Sequence, residues 1–93
     1  MAKAMNILDV IKALLNNGRI TEICPAVQGK IEYRVSVPDE NMNGAHRSIG
    51  HITEKQWGDM VSKGIIRYYA TNEGYKSGKT INFYKLNIKE NDS

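Results

Sequence analysis

The residues of this chain best suited to chemistry are the glycines and lysines of segment 73–80, EGYKSGKT. Their order is close to the phosphate-binding loop pattern G-x-x-x-x-G-K-[ST], in which backbone N–H groups and a lysine hold a nucleotide's phosphates. Glu73 stands where that pattern requires its first glycine, and the residues after Thr80 are strand formers rather than helix formers. We therefore exclude a nucleoside triphosphatase and interpret Lys76 and Lys79 as cations at the tip of a β-hairpin, either merely solvated or in contact with phosphates.

Histidine, cysteine and carboxylate residues provide no catalytic or metal-binding pattern. His46 and His51 lie five residues apart on a predicted strand, which places them on opposite faces. Cys24 is the only cysteine, so the chain has no internal disulfide and too few ligands for zinc. We predict a protein that is not an enzyme and that needs no metal or cofactor. A ribonuclease-like toxin, with one histidine acting beside Arg47 or Lys76, is the remote alternative.

The positive charge of the chain is concentrated in its second half. Residues 1–45 carry five cations and five anions, whereas residues 46–89 carry eight cations and three anions, within an overall net charge of +3. A one-sided charge distribution of this kind is typical of proteins with anionic partners. Nucleic acid is the partner that we favour, because lysine and arginine bind phosphates by releasing condensed counterions.

The candidate contacts for nucleic acid fall into two groups. The cations predicted to contact phosphates are Lys55, Lys63, Arg67, Lys76, Lys79 and Lys85. The aromatic residues predicted at the surface, where they can stack on bases or contact a protein, are Tyr69, Tyr75 and Tyr84. The aromatic residues expected in the core are Tyr33, Trp57, Tyr68 and Phe83. The outer face of a helix at residues 53–63 carries four polar residues that can read a groove, namely Lys55, Gln56, Asp59 and Ser62.

The first helix is predicted between Asn6, its N-cap, and Gly18, its left-handed stop. Apolar residues recur there with the period of a helix. Its predicted buried stripe consists of Ile7, Leu8, Ile11, Leu14 and Leu15.

Strands are predicted next, by alternation of apolar and polar residues. The alternation is clear over residues 30–37, a third strand is expected at about His46–Ile52, and the pattern at Arg19–Cys24 is weaker. Thr53 and Gln56 have the spacing of a capping box at the start of a second helix. The chain then ends in a hairpin of two aromatic runs. A change of phase near Tyr84 and Lys85 indicates either a β-bulge there or a strand that is covered on both faces.

Ninety-three residues fit one domain, residues 1–93, with frayed ends at 1–5 and 89–93. We predict an α+β fold in which a helix, an antiparallel sheet of two or three strands, a second helix and a C-terminal hairpin follow in the order α-β-β-β-α-β-β. Both helices are expected on one side of the sheet. No apolar run is long enough to span a bilayer, so we predict no membrane partner. The lone cysteine fits a reducing compartment, and we predict a cytoplasmic location.

Two functional hypotheses follow from these patterns. The first is a small binding module that contacts nucleic acid through helix 53–63 and the hairpin tip 73–80. The second is a protein-interaction or inhibitor module, of the kind found among bacterial and phage regulatory proteins. One form of this second hypothesis is a homodimer. Salt dependence separates them, because only phosphate contacts weaken steeply as salt rises.

Overall fold

Five strands and two helices make up the described part of the chain. The computed structural model describes residues 3–25, 27–41, 44–74 and 78–87. In chain order the elements are α1 (Ile7–Leu15), β1 (Arg19–Cys24), β2 (Glu32–Pro38), β3 (His46–Ile52), α2 (Glu54–Ser62), β4 (Ile66–Gly74) and β5 (Lys79–Leu86). The strands form one antiparallel sheet in the order β3-β2-β1-β5-β4.

The α+β architecture with two helices is confirmed, but the predicted sheet of two or three strands is wrong. Ile20 of β1 lies opposite Val35 of β2 and also opposite Tyr84 of β5, so the C-terminal hairpin extends the sheet to five strands. The pairing of β1 with β5 joins segments that are distant in the chain. It therefore leaves no local signal in the sequence.

The residues at the two ends of helix α1 determine where it begins and where it ends. Asn6 caps its N-terminus, where the side-chain oxygen accepts a hydrogen bond of 2.9 Å from the Asp9 N–H. The left-handed residue after the helix is Asn17, with φ of 65°, and not Gly18 as we predicted. Glycine is required at position 18 for a different reason. A Cβ atom there would lie 2.5 Å from the Ala13 carbonyl oxygen and 2.7 Å from that of Ser36.

The predicted apolar stripe of α1 is only partly correct. Val10, Ala13 and Leu14 are buried against the sheet. Leu8 and Leu15, which we expected to be buried, are 68% and 62% exposed. Since α1 is apolar around most of its circumference, periodicity alone could not tell which side faces the sheet. One apolar side of α1 therefore remains in contact with solvent.

Helix α2 has the predicted capping box. The Thr53 side chain accepts a hydrogen bond from the Gln56 N–H at 3.1 Å, and the Gln56 side chain accepts one from the Thr53 N–H at 2.8 Å. The left-handed Gly64, with φ of 71°, follows the helix. Met60 is its buried residue. Neither of the described helices is long and apolar enough to cross a membrane.

Both helices cover the same side of the sheet. The core is one cluster of buried apolar residues from α1, α2 and four strands: Val10, Ala13, Leu14, Ile20, Tyr33, Val35, Ile52, Met60 and Ile66. Trp57 of α2 stacks on Tyr33, with ring centroids 4.9 Å apart. The opposite side of the sheet, which we call the open face, carries no helix among the described residues.

Two β-bulges interrupt the ladders and change which residues share a face. The C-terminal hairpin has a bulge, but it lies in β4 at Tyr69, between the pairs Tyr68–Tyr84 and Ala70–Phe83, and not near Tyr84 and Lys85 of β5, where the change of phase had indicated it. A second bulge, at Ile49 of β3, was not predicted. Each extra residue shifts the alternation of side chains by one position from there on.

The N-terminal segment is held to the edge of the sheet as far as Met5. The Met5 N–H donates to the His51 carbonyl oxygen at 2.8 Å, and its own carbonyl oxygen accepts from the Gln56 side chain at 2.8 Å. Fraying of residues 1–5 and 89–93 stays a prediction, since residues 1–2 and 88–93 lie outside the described residues.

Candidate functional site

Three cations lie side by side on the open face, each on a different strand. Arg67 of β4 and Lys85 of β5 are directly opposite one another. Arg19 starts the neighbouring strand β1, where Ile20 of the next position faces the core. Strands of a sheet lie about 4.8 Å apart, so this cation row, Arg19–Lys85–Arg67, is roughly 10 Å long.

The charges of the cation row are not neutralised by the described residues. No described carboxylate lies within ion-pair distance of Arg19, Lys85 or Arg67. Like charges directly opposite one another on a sheet destabilise it, as Arg67 and Lys85 do here. An anionic ligand would turn this repulsion into attraction.

Aromatic rings lie directly beside the cation row. The ring centroids of Tyr69 and Phe83 are 6.1 Å apart, with their planes inclined by 34°. The Arg19 Cζ lies 4.2 Å from the centroid of Phe83, and the Lys85 Nζ lies 5.1 Å from that of Tyr69. The Arg19 Nη1 also donates to the Tyr69 hydroxyl at 3.5 Å. Both rings therefore hold a cation over one face, at distances typical of cation–π contacts.

The cation row and Tyr69 line a depression of about 390 Å³ at the end of the sheet near the C-terminus of α1. Its other lining residues are Leu14, Asn17, Gly18 and Leu86. All of its charged residues are cations. The volume lies within the usual range for a small ligand or one unit of a polymer.

Two larger depressions lack this uniform charge. The one of about 990 Å³ beside β2 and β3 includes Glu32 and Glu54 as well as Arg34, and Arg34 donates to Glu32 at 3.1 Å. The one of about 900 Å³ between α1 and the β2–β3 turn mixes Asp9 and Lys12. Charges that are balanced within a depression leave no net attraction for a charged ligand, so size alone does not select the site.

His46 extends the polar surroundings of Arg19. The Nε of Arg19 and the Nδ1 of His46 are both buried, and neither has a hydrogen-bond partner among the described residues. Burial and, secondly, the Arg19 guanidinium lower the pKa of His46. The positive charge of Arg19 thus disfavours protonation of the His46 imidazole.

Only some of the predicted contact residues come together in the cation row. Arg67, Lys85 and Tyr69 do so. Lys79 starts β5, opposite Gly74, and six residues of strand place it about 20 Å from Lys85. The predictions for Lys76 and Tyr75 lie outside the described residues.

The α2 residues predicted to bind nucleic acid are not part of this site. Lys55 and Lys63 belong to the helical side, across the sheet from the cation row. The Gln56 side chain is engaged in the capping box and with Met5. The Ser62 hydroxyl donates to the Asp59 carbonyl oxygen at 3.1 Å. Two of the four groups predicted to read a groove are therefore hydrogen-bonded within the protein.

Three aromatic residues are placed differently from our expectations. Phe83, expected in the core, lies on the open face, and Tyr84, expected at the surface, faces the core. Tyr68, also expected in the core, is 52% exposed at the edge of the sheet. The reason is the pairing of Tyr84 with Ile20, since residues opposite one another share a face and Ile20 is fully buried.

Tyr84 belongs instead to a polar network beneath the core. Its hydroxyl donates to Oε1 of the buried Glu22 at 3.4 Å, and the Asn82 side chain donates to the same oxygen at 2.9 Å. Thr71 donates to Asn82 at 2.8 Å and is hydrogen-bonded to the Tyr68 hydroxyl. Because the Glu22 carboxylate is satisfied from within, we interpret this network as structural.

The histidines do not converge on a catalytic site. We predicted opposite faces, but the bulge at Ile49 shifts the alternation, so His46 and His51 share the open face, in register with Pro38 and Arg34. They remain about 16 Å apart along β3. Among the described residues no group of three or more histidine, cysteine or acidic side chains is placed to hold a metal ion.

Sequence reasoning missed two residues of the site, Arg19 and Phe83. Arg19 could be seen only as the first residue of a weak strand, and Phe83 as one of several aromatic residues in an apolar run. Their proximity depends on the pairing of β1 with β5. We found no match to this chain among protein-family models, curated protein sequences or solved structures.

Proposed function

We propose that this protein binds nucleic acid through the open face of its sheet, with the cation row in contact with phosphates. The observation that carries the proposal is the alignment of Arg19, Lys85 and Arg67 on three neighbouring strands, with no carboxylate of the described residues at ion-pair distance from them. Backbone phosphates are the sequence-independent target of arginine and lysine. This interface replaces helix 53–63 and the hairpin tip as the main contact surface.

Two features favour nucleic acid over other anions. The aromatic rings of Tyr69 and Phe83 lie beside the cations, and nucleic acid combines phosphates with planar bases in the same way. The excess of cations in residues 46–89 extends the positive field beyond the site itself. A small inorganic anion would not use the rings.

The number of cations sets the expected salt dependence. If three phosphates are contacted, the slope of log K against log salt is about −2 for a single strand and about −2.7 for a duplex. The affinity then falls roughly 20- to 40-fold between about 50 and 200 mM salt. Fluorescence anisotropy with labelled oligonucleotides at several salt concentrations measures this slope.

A matched pair of double variants tests the position of the interface. Arg67→Ala with Lys85→Ala removes two positive charges from the open face, and Lys55→Ala with Lys63→Ala removes two from the helical side. We expect the first variant to reduce the salt slope by about one for each lost cation, and the second to bind as the wild type does. Equal losses in both variants, or a loss only in the second, would refute the proposed interface. Absence of binding at about 50 mM salt would refute the function.

A second candidate function, self-association, is favoured by the apolar outer side of α1. Leu8 and Leu15 are 68% and 62% exposed and lie two helical turns apart on one side. Two copies of α1 packed antiparallel about a two-fold axis would bring Leu8 of one copy onto Leu15 of the other. Asp9 of one copy would then lie beside Lys12 of the other, so the charges are complementary.

Sedimentation velocity at increasing protein concentration tests the second candidate. Leu8→Gln with Leu15→Gln should abolish a concentration-dependent dimer, while Val61→Gln, which changes an exposed apolar residue of α2, should not. A wild-type protein that stays monomeric at millimolar concentration would exclude self-association through α1.

A further inference from the structure

We infer that the nucleic acid bound by the open face is single-stranded. The inference rests on the proposed function and adds the form of the ligand. It comes from the rings of Tyr69 and Phe83, which share the open face with the cation row. Phosphate contacts alone would leave the form of the nucleic acid open, because both single strands and duplexes have phosphates.

The rings suit a base that has left a stack. In a duplex each base is covered by its neighbours above and below, and a protein reaches only its edges in the grooves. An unpaired base offers its whole flat side, which aromatic rings and arginine guanidinium groups stack on. Tyr69 is 39% exposed, so part of its ring is open to a ligand.

Each of the two rings lies beside a cation that can contact the phosphate next to a stacked base. The Arg19 guanidinium lies over Phe83 and reaches the Tyr69 hydroxyl, while Lys85 lies over Tyr69. A nucleic acid strand likewise presents one phosphate for each base. Arg67, which has no ring partner among the described residues, is the cation placed to contact phosphate alone.

The shape of the site argues in the same direction. Proteins that read duplex grooves insert an α-helix or a two-stranded ribbon that protrudes from the surface. The cation row instead lines a depression of about 390 Å³, which Leu14 of α1 also lines, and no described helix protrudes from the open face. A single strand can follow this surface across β4, β5 and β1, whereas a rigid duplex would meet only its rim.

Two neighbouring tyrosines provide a matched test. Tyr69→Leu removes a ring from the open face, and Tyr68→Leu removes the adjacent ring, which points to the other side. The probes are a labelled single strand of about 12 nucleotides and the duplex of the same sequence. We expect the single strand to bind more tightly than the duplex. Tyr69→Leu should weaken binding of the single strand about 5- to 150-fold, and Tyr68→Leu should leave it nearly unchanged.

Photocrosslinking of the wild-type protein gives an answer that does not depend on the folding of a variant. A single strand containing 5-iodouracil forms adducts with aromatic side chains that it stacks on, and mass spectrometry locates them. Adducts at Tyr69 or Phe83 support the inference. Adducts only at other residues, or none in a complex that forms, overturn it.

The outcomes separate this inference from the proposal on which it rests. If Tyr69→Leu binds as tightly as the wild type, or the duplex binds more tightly, while Arg67→Ala with Lys85→Ala loses affinity, the open face binds phosphates but single-strand recognition is refuted. If neither oligonucleotide binds at about 50 mM salt, both the function and its single-stranded form are refuted.

Discussion

Replacement of Gly18 by alanine should destabilise the protein because two backbone oxygens occupy the space that a Cβ atom needs. That atom would lie 2.5 Å from the Ala13 carbonyl oxygen in α1 and 2.7 Å from the Ser36 carbonyl oxygen in β2. Neither backbone atom can rotate away as a flexible side chain would. Relief of the clash therefore requires α1 to move relative to the sheet.

The expected magnitude follows from two opposing contributions. Overpacking at a tight site costs about 1–3 kcal/mol. Alanine also restricts the unfolded chain more than glycine does, which offsets about 0.4–1 kcal/mol of that cost. We expect Gly18→Ala to lower the free energy of unfolding by about 1–2 kcal/mol, which lowers the melting temperature of a domain of this size by roughly 4–16 °C.

Gly58→Ala is the matched control, because the same substitution should there have the opposite sign. Apart from the backbone of α2 itself and the two neighbours of Gly58 in the chain, no atom of the described residues lies within 4 Å of the Cβ position at Gly58, which lies inside α2. Glycine within a helix costs about 1 kcal/mol relative to alanine, so Gly58→Ala should stabilise the protein by up to about that amount. Gly58 is therefore not required by close packing.

Urea unfolding followed by circular dichroism measures both variants, and an unchanged m-value shows that the same surface unfolds. The reasoning would be refuted if Gly18→Ala were as stable as the wild type, or if both variants changed stability in the same direction. Gly18 also lines the depression beside Arg19. Gly18→Ala should therefore weaken oligonucleotide binding, whereas Gly58→Ala should not.

Three further perturbations should give results of known sign. Burial, and then Glu22, raise the pKa of Tyr33 and Tyr84 above the ordinary value of 10.0. The contribution of the two neutral hydroxyls to stability is therefore complete below pH 10 and is lost as the pH rises above it. Tyr84→Phe should flatten this alkaline loss, which urea titrations at several pH values measure. The pKa of His46 is lowered in the folded state, so the contribution of its neutral imidazole to stability is complete above pH 6.5 and is lost as the pH falls through the folded-state pKa. His46→Gln should remove this acid dependence. Thr53→Ala should lower the free energy of unfolding by about 1 kcal/mol by removing the capping box, and a variant as stable as the wild type would contradict the role of that cap.

The helix termini could be predicted from the sequence because they depend on residues a few positions apart. Asn6 caps α1 and Thr53 with Gln56 caps α2, as their spacing indicates. The left-handed position after α1 was assigned one residue too late. Asn17 and Gly18 both suit a helix end, and only the packing of Gly18 against α1 and β2 shows which of them has the positive φ.

The faces of the strands could not be predicted where both faces are partly apolar. Along β5, Ile81 and Phe83 have one parity and Tyr84 and Leu86 the other, so the alternation of β5 is equally compatible with either side facing the core. The pairing of β5 with the buried Ile20 determines which side of β5 faces the core, because Tyr84 lies opposite Ile20 and Phe83 then lies on the open face. The candidate site was missed for the same reason.

The sequence by itself determined the elements of this protein: two capped helices, alternating strands, an aromatic hairpin with a bulge, and an excess of cations after residue 45. These properties arise from interactions between near neighbours in the chain. Tertiary structure decided that the hairpin joins β1, that the two bulges shift the alternation, and that Arg19 reaches Lys85 and Arg67. Such contacts depend on the free energy of packing the whole sheet against two helices, which no local stretch of residues encodes.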